Sequence, residues 1–225
     1  MLHSGINVLF EGRNFTRLLG GLWTSVWIAV LSLIIGLALG ALFGVLRTSK
    51  SRLVKVIFRI YLEFFRMVPT VVLLFLFYYI LPRQFNLNWP ASVMAVIAFA
   101  LWVSAEFSDI VRGALISVPK IQRESGLALG LNKWQLFIYV LLPQAFQLEL
   151  PATINLATRV IKTTSLLMMI SVMDVINVGQ QIVEANNQTN PNGVFWVYGL
   201  IFFLYFIVDY PLSLWAKRLS KRNEA

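Results

Sequence analysis

Charged side chains set inside long apolar runs are the groups in this sequence with chemistry to do. A charge in hydrocarbon is costly and is kept for a partner, a cavity or a solute. Glu63 and Arg66 lie three residues apart and can pair on one helical face. Glu106 falls about fifteen residues into a run that opens near Ala91, roughly 22 Å at 1.5 Å per residue, where it could meet Arg66 from the adjacent run. Two readings of Glu106 stand side by side: a recognition group for an ammonium or cationic side chain, and a structural ion pair with Arg66. Glu149 lies between Pro143 and Pro151, where kinks can expose backbone groups to a cavity. Lys162, Thr164 and Ser165 can all donate hydrogen bonds, which suits a carboxylate; the alternative is an interfacial loop facing a partner protein. Asp109 and Arg112 suit a gate or a helix end, and Asp209, beside Tyr210-Pro211, suits a contact at a kink.

The rest of the inventory narrows the chemistry. There is no cysteine, which excludes disulfides, thiolate catalysis and cysteine metal sites. The sole histidine, His3, lies near the terminus, so imidazole catalysis is not expected. No paired-aspartate motif is aimed at one depth, against an intramembrane enzyme. No Gly-x-x-x-x-Gly-Lys-Ser/Thr phosphate cradle occurs, so the chain is not expected to hold ATP itself. No catalytic, cofactor-binding or metal-binding residues are expected.

Apolar segments must position these groups. The chain has 225 residues, 58% of them hydrophobic and only 13% charged, and its mean hydropathy is +0.74. A soluble core of this size could not hide so much apolar surface. The class expected is an all-α polytopic membrane protein with about five transmembrane helices, since helices satisfy their own backbone in lipid. The expected spans are Leu22–Leu46, Ile60–Leu81, Ala91–Val111, a less uniform one opening at Leu136–Leu142 and running to Ile161, and Val194–Ala216. A short turn, Pro82–Pro90, follows the second. The N-terminal stretch has no basic region before a short apolar core and does not read as a cleaved signal peptide.

Basic residues orient the spans. Arg47, Lys50, Arg52, Lys55 and Arg59 fill the first loop; Arg112, Lys120, Arg123 and Lys133 lie in the third; Lys217, Arg218, Lys221 and Arg222 form the tail. These are 13 of the 19 Lys and Arg, which predicts the N-terminus outside and the C-terminus in the cytoplasm. The net charge of +9 is thus topological, and its scatter between apolar spans excludes a nucleic-acid surface. Gly36, Gly40 and Gly44 recur every four residues on one helix face, a spacing for close packing within or between subunits. Trp23, Trp89, Trp134, Trp196 and Trp215 lie near span ends as interfacial anchors.

The third loop is too long and too patterned for a plain connector. Ser117-Val118-Pro119 reads as a helix start, with Ser as cap and Pro in the first turn. Glu124-Ser125-Gly126-Leu127-Ala128-Leu129-Gly130 then makes a short helix running on to Trp134, with little bulk at 125, 126 and 128 on the face a partner groove could hold. Gly130 supplies a sharp bend back towards the membrane.

With Gly130 and with Val140 and Leu142-Pro143 at their spacing, this segment resembles the cytoplasmic signature of permeases of binding-protein-dependent ABC importers, with Ser-Gly standing where the family has Ala-Ala. The resemblance covers roughly residues 20–220, and finer matches are similar to the polar amino-acid branch, type I fold. These are Phe65–Pro69 around Arg66, Ala105–Gly113 with Glu106 and Asp109 in place of Tyr and Glu, and Pro151, Asn155, Lys162 and Thr164-Ser165-Leu166.

The resemblance implies a single transmembrane permease domain over 1–225 with a cytoplasmic coupling segment at 117–134. Glu124, Ser125, Gly126, Gly130, Leu142 and Pro143 would couple to the ATPase, and Arg66, Glu106, Glu149, Asn155, Lys162, Thr164 and Ser165 would line a substrate pathway. It implies as partners two ATPase subunits, which bind the ATP and Mg, an extracytoplasmic solute-binding protein docked at Arg83 and the Gln180–Asn192 loop, an amino-acid substrate and membrane lipid, in a bacterial cytoplasmic membrane. Five spans are too few to seal a path alone, so a second copy or a similar permease is expected, giving about ten helices. Still open at this point are another small solute for the same importer type, and an ATP-independent channel or secondary transporter.

Overall fold

A computed structural model describes residues 5–224, and every regular element among them is helical. His3, and the side chain of Arg222 in the basic tail, lie outside what is described. A short 3-10 turn, Ile6–Leu9, leads into α1 (Asn14–Leu46). There follow α2 (Arg52–Met67), α3 (Thr70–Phe85), α4 (Ala91–Ser117) and the short α5 (Lys120–Ala128). The chain ends with α6 (Lys133–Ile170), α7 (Val175–Asn186) and α8 (Gly193–Glu224).

Four helices, α1, α4, α6 and α8, are long and apolar enough to cross a membrane, and α2 with α3 makes a fifth only as a broken pair bent by 103°. The expected span Ile60–Leu81 is therefore not one helix. Pro69 bars the α conformation from the residue before it, and Val68 is extended at φ −73° and ψ 125°. A second correction concerns the loop expected at Gln180–Asn192: its first half belongs to α7, a helix too short and too polar to announce itself by hydropathy. The remaining spans start earlier or end later than hydropathy suggested, because helical hydrogen bonding continues past the apolar stretch.

Two prolines widen the helices that carry them. The π turns Leu76–Ile80 and Phe137–Leu141 each end just before Pro82 and Pro143, where the ring would otherwise strike the carbonyl four residues back.

Contacts group the chain into two compact units. The first comprises the chain up to Leu33 with Pro69–Phe99 and Thr158–Pro211; the second comprises Ile34–Val68, Ala100–Ala157 and the chain from Leu212. In the first, Val8, Leu18, Val175, Ile182, Val197 and Ile201 form an apolar core. Gly21 lets α1 reach the turn before α7: a Cβ there would stand 2.8 Å from Val175 Cα. In the second, Gly36, Gly40 and Gly44 are buried along α1 against Val103, Phe107 and Val111 of α4. A Cβ on Gly40 would lie 2.8 Å from Phe107 Cβ and 2.9 Å from the Ser104 carbonyl, so only glycine allows this approach. Beside the seam, Phe43, Phe58, Tyr61 and Phe65 form an aromatic cluster of tilted and edge-on rings. The Tyr61 hydroxyl is 2.9 Å from the Leu101 carbonyl and 2.6 Å from Ser104 Oγ.

Candidate functional site

The patterned loop folds as a helix held by its own turn. α5 starts directly after Pro119, and Lys120 pairs with Glu124 at 3.5 Å on its exposed face. Ser117 does not cap it: its hydroxyl donates to the Gly113 carbonyl at 2.8 Å and so closes α4. α5 stops at Ala128 rather than running on to Trp134. Gly130 then turns left-handed at φ +79° while the Leu131 amide donates to the Gly126 carbonyl at 3.1 Å. Asn132 opens α6 with a capping box. Its side chain accepts from the Trp134 and Gln135 amides at 3.0 and 2.9 Å, and Gln135 Oε1 accepts from the Asn132 amide at 3.0 Å.

Of the three small residues, Gly126 packs on its own chain, and Ser125 and Ala128 stay on the outward face. Gly126 is buried inside the chain, where a Cβ would meet Leu136 Cδ1 at 2.5 Å. Glu124, Ser125 and Ala128 are exposed, and the outward surface also carries Ile121, Leu127, Trp134 and Leu129, the last 83% exposed. Leu142 and Pro143, at the foot of α6, are exposed as well. Glycine thus seats the helix on its own chain, while bulky apolar side chains face outward.

Four charged groups of the second unit gather into one network. Arg47, at the end of α1, donates to Asp109 Oδ1 at 3.0 Å and to Ser108 Oγ at 3.1 Å. Arg66, at the end of α2, reaches the other oxygen of Asp109 at 3.2 Å and Glu106 Oε1 at 3.4 Å. Two cations and two carboxylates thereby tie α1, α2 and α4 together with no net charge. Glu63 does not join them; it pairs with Arg59 at 2.8 Å on the exposed face of α2. Of the two readings of Glu106, the ion pair with Arg66 is present.

The remaining pathway candidates divide between the units. Glu149, half-buried, and Asn155, exposed, lie in the second, on a helix that carries Pro151 internally. Lys162, Thr164 and Ser165 lie in the first. Lys162 is exposed. The Thr164 hydroxyl donates to the Ile161 carbonyl at 2.6 Å and the Ser165 hydroxyl to the Lys162 carbonyl at 2.8 Å, shaping the 3-10 turn Thr164–Ile170. Two further groups stand out in this unit. Asp174, which sequence reading passed over, is fully buried and caps α7, accepting from the Ile176 and Asn177 amides at 3.2 and 3.0 Å. An Asp just before a helix is a readable cap. Asp209 is buried with neither carboxylate oxygen hydrogen-bonded among the described residues.

Spans of this length, an exposed turn-held helix between two of them, and an internal charge network set the frame for comparison with known proteins. Residues 15–223 match the family described as binding-protein-dependent transport system inner membrane component. The chain belongs to that family. As an inner membrane component of this kind, it is 34% identical over 218 residues to the glutamine transport system permease protein GlnP of Escherichia coli, covering 96% of this chain and 93% of that protein. It is 33% identical over 203 residues to the L-cystine transport system permease protein TcyB of Bacillus subtilis, covering 90% and 85%. The crystal structure of an amino acid ABC transporter with histidines superposes with a TM-score of 0.82 at 25% identity, covering 92% of this chain and 94% of that one. The MetNI methionine ABC transporter superposes at 0.69 and 18% identity over 91% and 97%, a likeness of fold.

Proposed function

We propose that this multi-pass chain is the permease of an ATP-driven importer that carries a polar amino acid across a bacterial cytoplasmic membrane. It works with two ATPase subunits, a second permease and an external solute-binding protein. The observation that carries the coupling part is the seating of α5. Gly126 lets it pack closely on Leu136 at the foot of α6 while Leu127 and Leu129 stay exposed, an apolar knob on the face a partner would grip. ATP and Mg belong to the partner. Closure of the ATPase pair on ATP would displace α5 in the two permeases, and α6, whose first turn contains Leu136, would move with it. The amino-acid part is supported by the relatives and by the superposed amino acid transporter. The engagement of Glu106 by Arg66 supports a structural role for that carboxylate over recognition of a substrate's ammonium.

The test uses the reconstituted complex and an amino-acid panel. Leu129→Glu is expected to lower substrate-stimulated ATP hydrolysis at least tenfold and to weaken copurification of the ATPase, with the permease still monodisperse. Gly126→Leu should do the same by unseating α5. Unchanged stimulation in both variants, or a permease that consistently purifies without an ATPase, would overturn the coupling reading. A complex stimulated by none of the amino acids would overturn the substrate reading.

A further inference from the structure

α2 carries three longitudinal stripes. Phe58, Tyr61, Leu62 and Phe65, at helical spacing, face the protein: Leu62 and Phe65 are buried and the other two are half-buried in the aromatic cluster. Arg52, Lys55, Arg59 and Arg66, at spacings of 3, 4 and 7, form a basic edge over the whole length. Leu53, Val56, Ile57, Ile60, Phe64 and Met67 form an apolar edge whose exposures run from 44% to 80%. A helix crossing the bilayer could not keep both outer stripes. Midway along, the Arg59 side chain is 78% exposed, and in a spanning helix it would enter hydrocarbon. In the plane of the membrane surface the two stripes fall naturally on either side of the headgroups. Arg52 and Lys55 have no ion-pair partner among the described residues, so their charge remains for an external anion.

We propose that α2 lies in the membrane surface and docks on anionic phospholipid. Arg52 and Lys55 meet the headgroup phosphates, and Leu53, Ile57 and Ile60 insert among the acyl chains. The inner wall of the helix fixes its rotation, and so decides which stripe meets lipid. Lipid is favoured over a protein partner because a basic edge lies beside a continuous apolar edge, with Glu63, paired with Arg59, at their border, the pattern of an amphipathic surface helix. The orientation expected from the loop charges determines only the leaflet, the cytoplasmic one.

The absence of cysteine allows single spin labels along α2 in the intact complex. In nanodiscs, labels at Leu53, Ile57, Ile60 and Phe64 are expected to share one shallow depth, reached by oxygen and shielded from a water-soluble nickel chelate, while a label at Lys55 reports water. Depth increasing steadily from 53 to 64 would overturn the proposal in favour of a span. Shielding of the apolar positions from both probes would overturn it in favour of a protein cover. With discs of phosphatidylcholine and phosphatidylglycerol in equal parts, spin-labelled phosphatidylglycerol should be enriched at the protein at least twofold over spin-labelled phosphatidylcholine. Arg52→Gln and Lys55→Gln together should abolish that enrichment; equal enrichment in the double variant would overturn the headgroup assignment. None of these readouts uses ATP hydrolysis, so they stand or fall separately from the coupling test.

Discussion

Asp174 closes the first turn of α7 with a carboxylate that solvent does not reach. Burial pushes its pKa up to about 6 from the usual 3.8, against the pull of the amides it accepts from. The folded state therefore holds the proton more tightly than the unfolded chain does. The resulting stabilisation is complete below the unfolded value and disappears as pH rises through about 6, a difference of about 3 kcal/mol for a shift of this size. Asp174→Asn keeps an oxygen for the cap and cannot ionise. The variant should melt above the parent at pH 7.5, and most of the gap should be gone by pH 4.5, as followed by thermal unfolding in detergent. A gap independent of pH would mean that the charge is not the cost. The cap was readable in the sequence; its burial was not, because burial depends on where Gly21 of α1 lands. The charge network was partly legible in the same way. Arg66 and Glu106 could be paired from depth alone, but Arg47 looked like one loop cation among five. Only the register of α1 on α4 brings it to Asp109.

At the scale of elements, the glycine stripe was legible as a packing face, and α4 is the neighbour that the structure supplies. Gly40→Ala is expected to lower stability by about 1–3 kcal/mol, since the new methyl meets Phe107 and a backbone carbonyl. Gly20→Ala, in the same helix with nothing within 4 Å, is its control and should be neutral or stabilising. Equal melting temperatures for the two variants would show that the seam is looser than drawn. Other elements escaped sequence reading for identifiable reasons. The run Ile60–Leu81 is apolar enough to look continuous, yet Pro69 governs only the conformation of Val68, and hydropathy averages over that single break. α7 mixes buried valines with Asn and Gln at a length hydropathy windows blur. The smallness of Gly126 was read correctly and assigned to the wrong neighbour, since Leu136 lies beyond a turn whose path sequence alone does not trace.

For the whole molecule, the loop charges make a prediction that the fold alone does not. With single cysteines in the cysteine-free chain, a membrane-impermeant maleimide should label Asn88→Cys and Gln188→Cys in intact cells. Lys50→Cys and Lys217→Cys should react only after lysis, and labelling of any pair in the opposite pattern would invert the orientation. The class and the number of bilayer-length helices were within reach of composition; the joints between them were not. Those joints matter because of the seam between α1 and α4. Three glycines on one helix receive Val103, Phe107 and Val111 of the other, one tooth per turn, and the helices cannot slide without lifting every tooth over a ridge. Meshed gears of this pitch resist slipping, and the seam holds this stretch of α1 in register with α4. The backbone leaves the helical conformation at Val68, ahead of Pro69, and at Gly130.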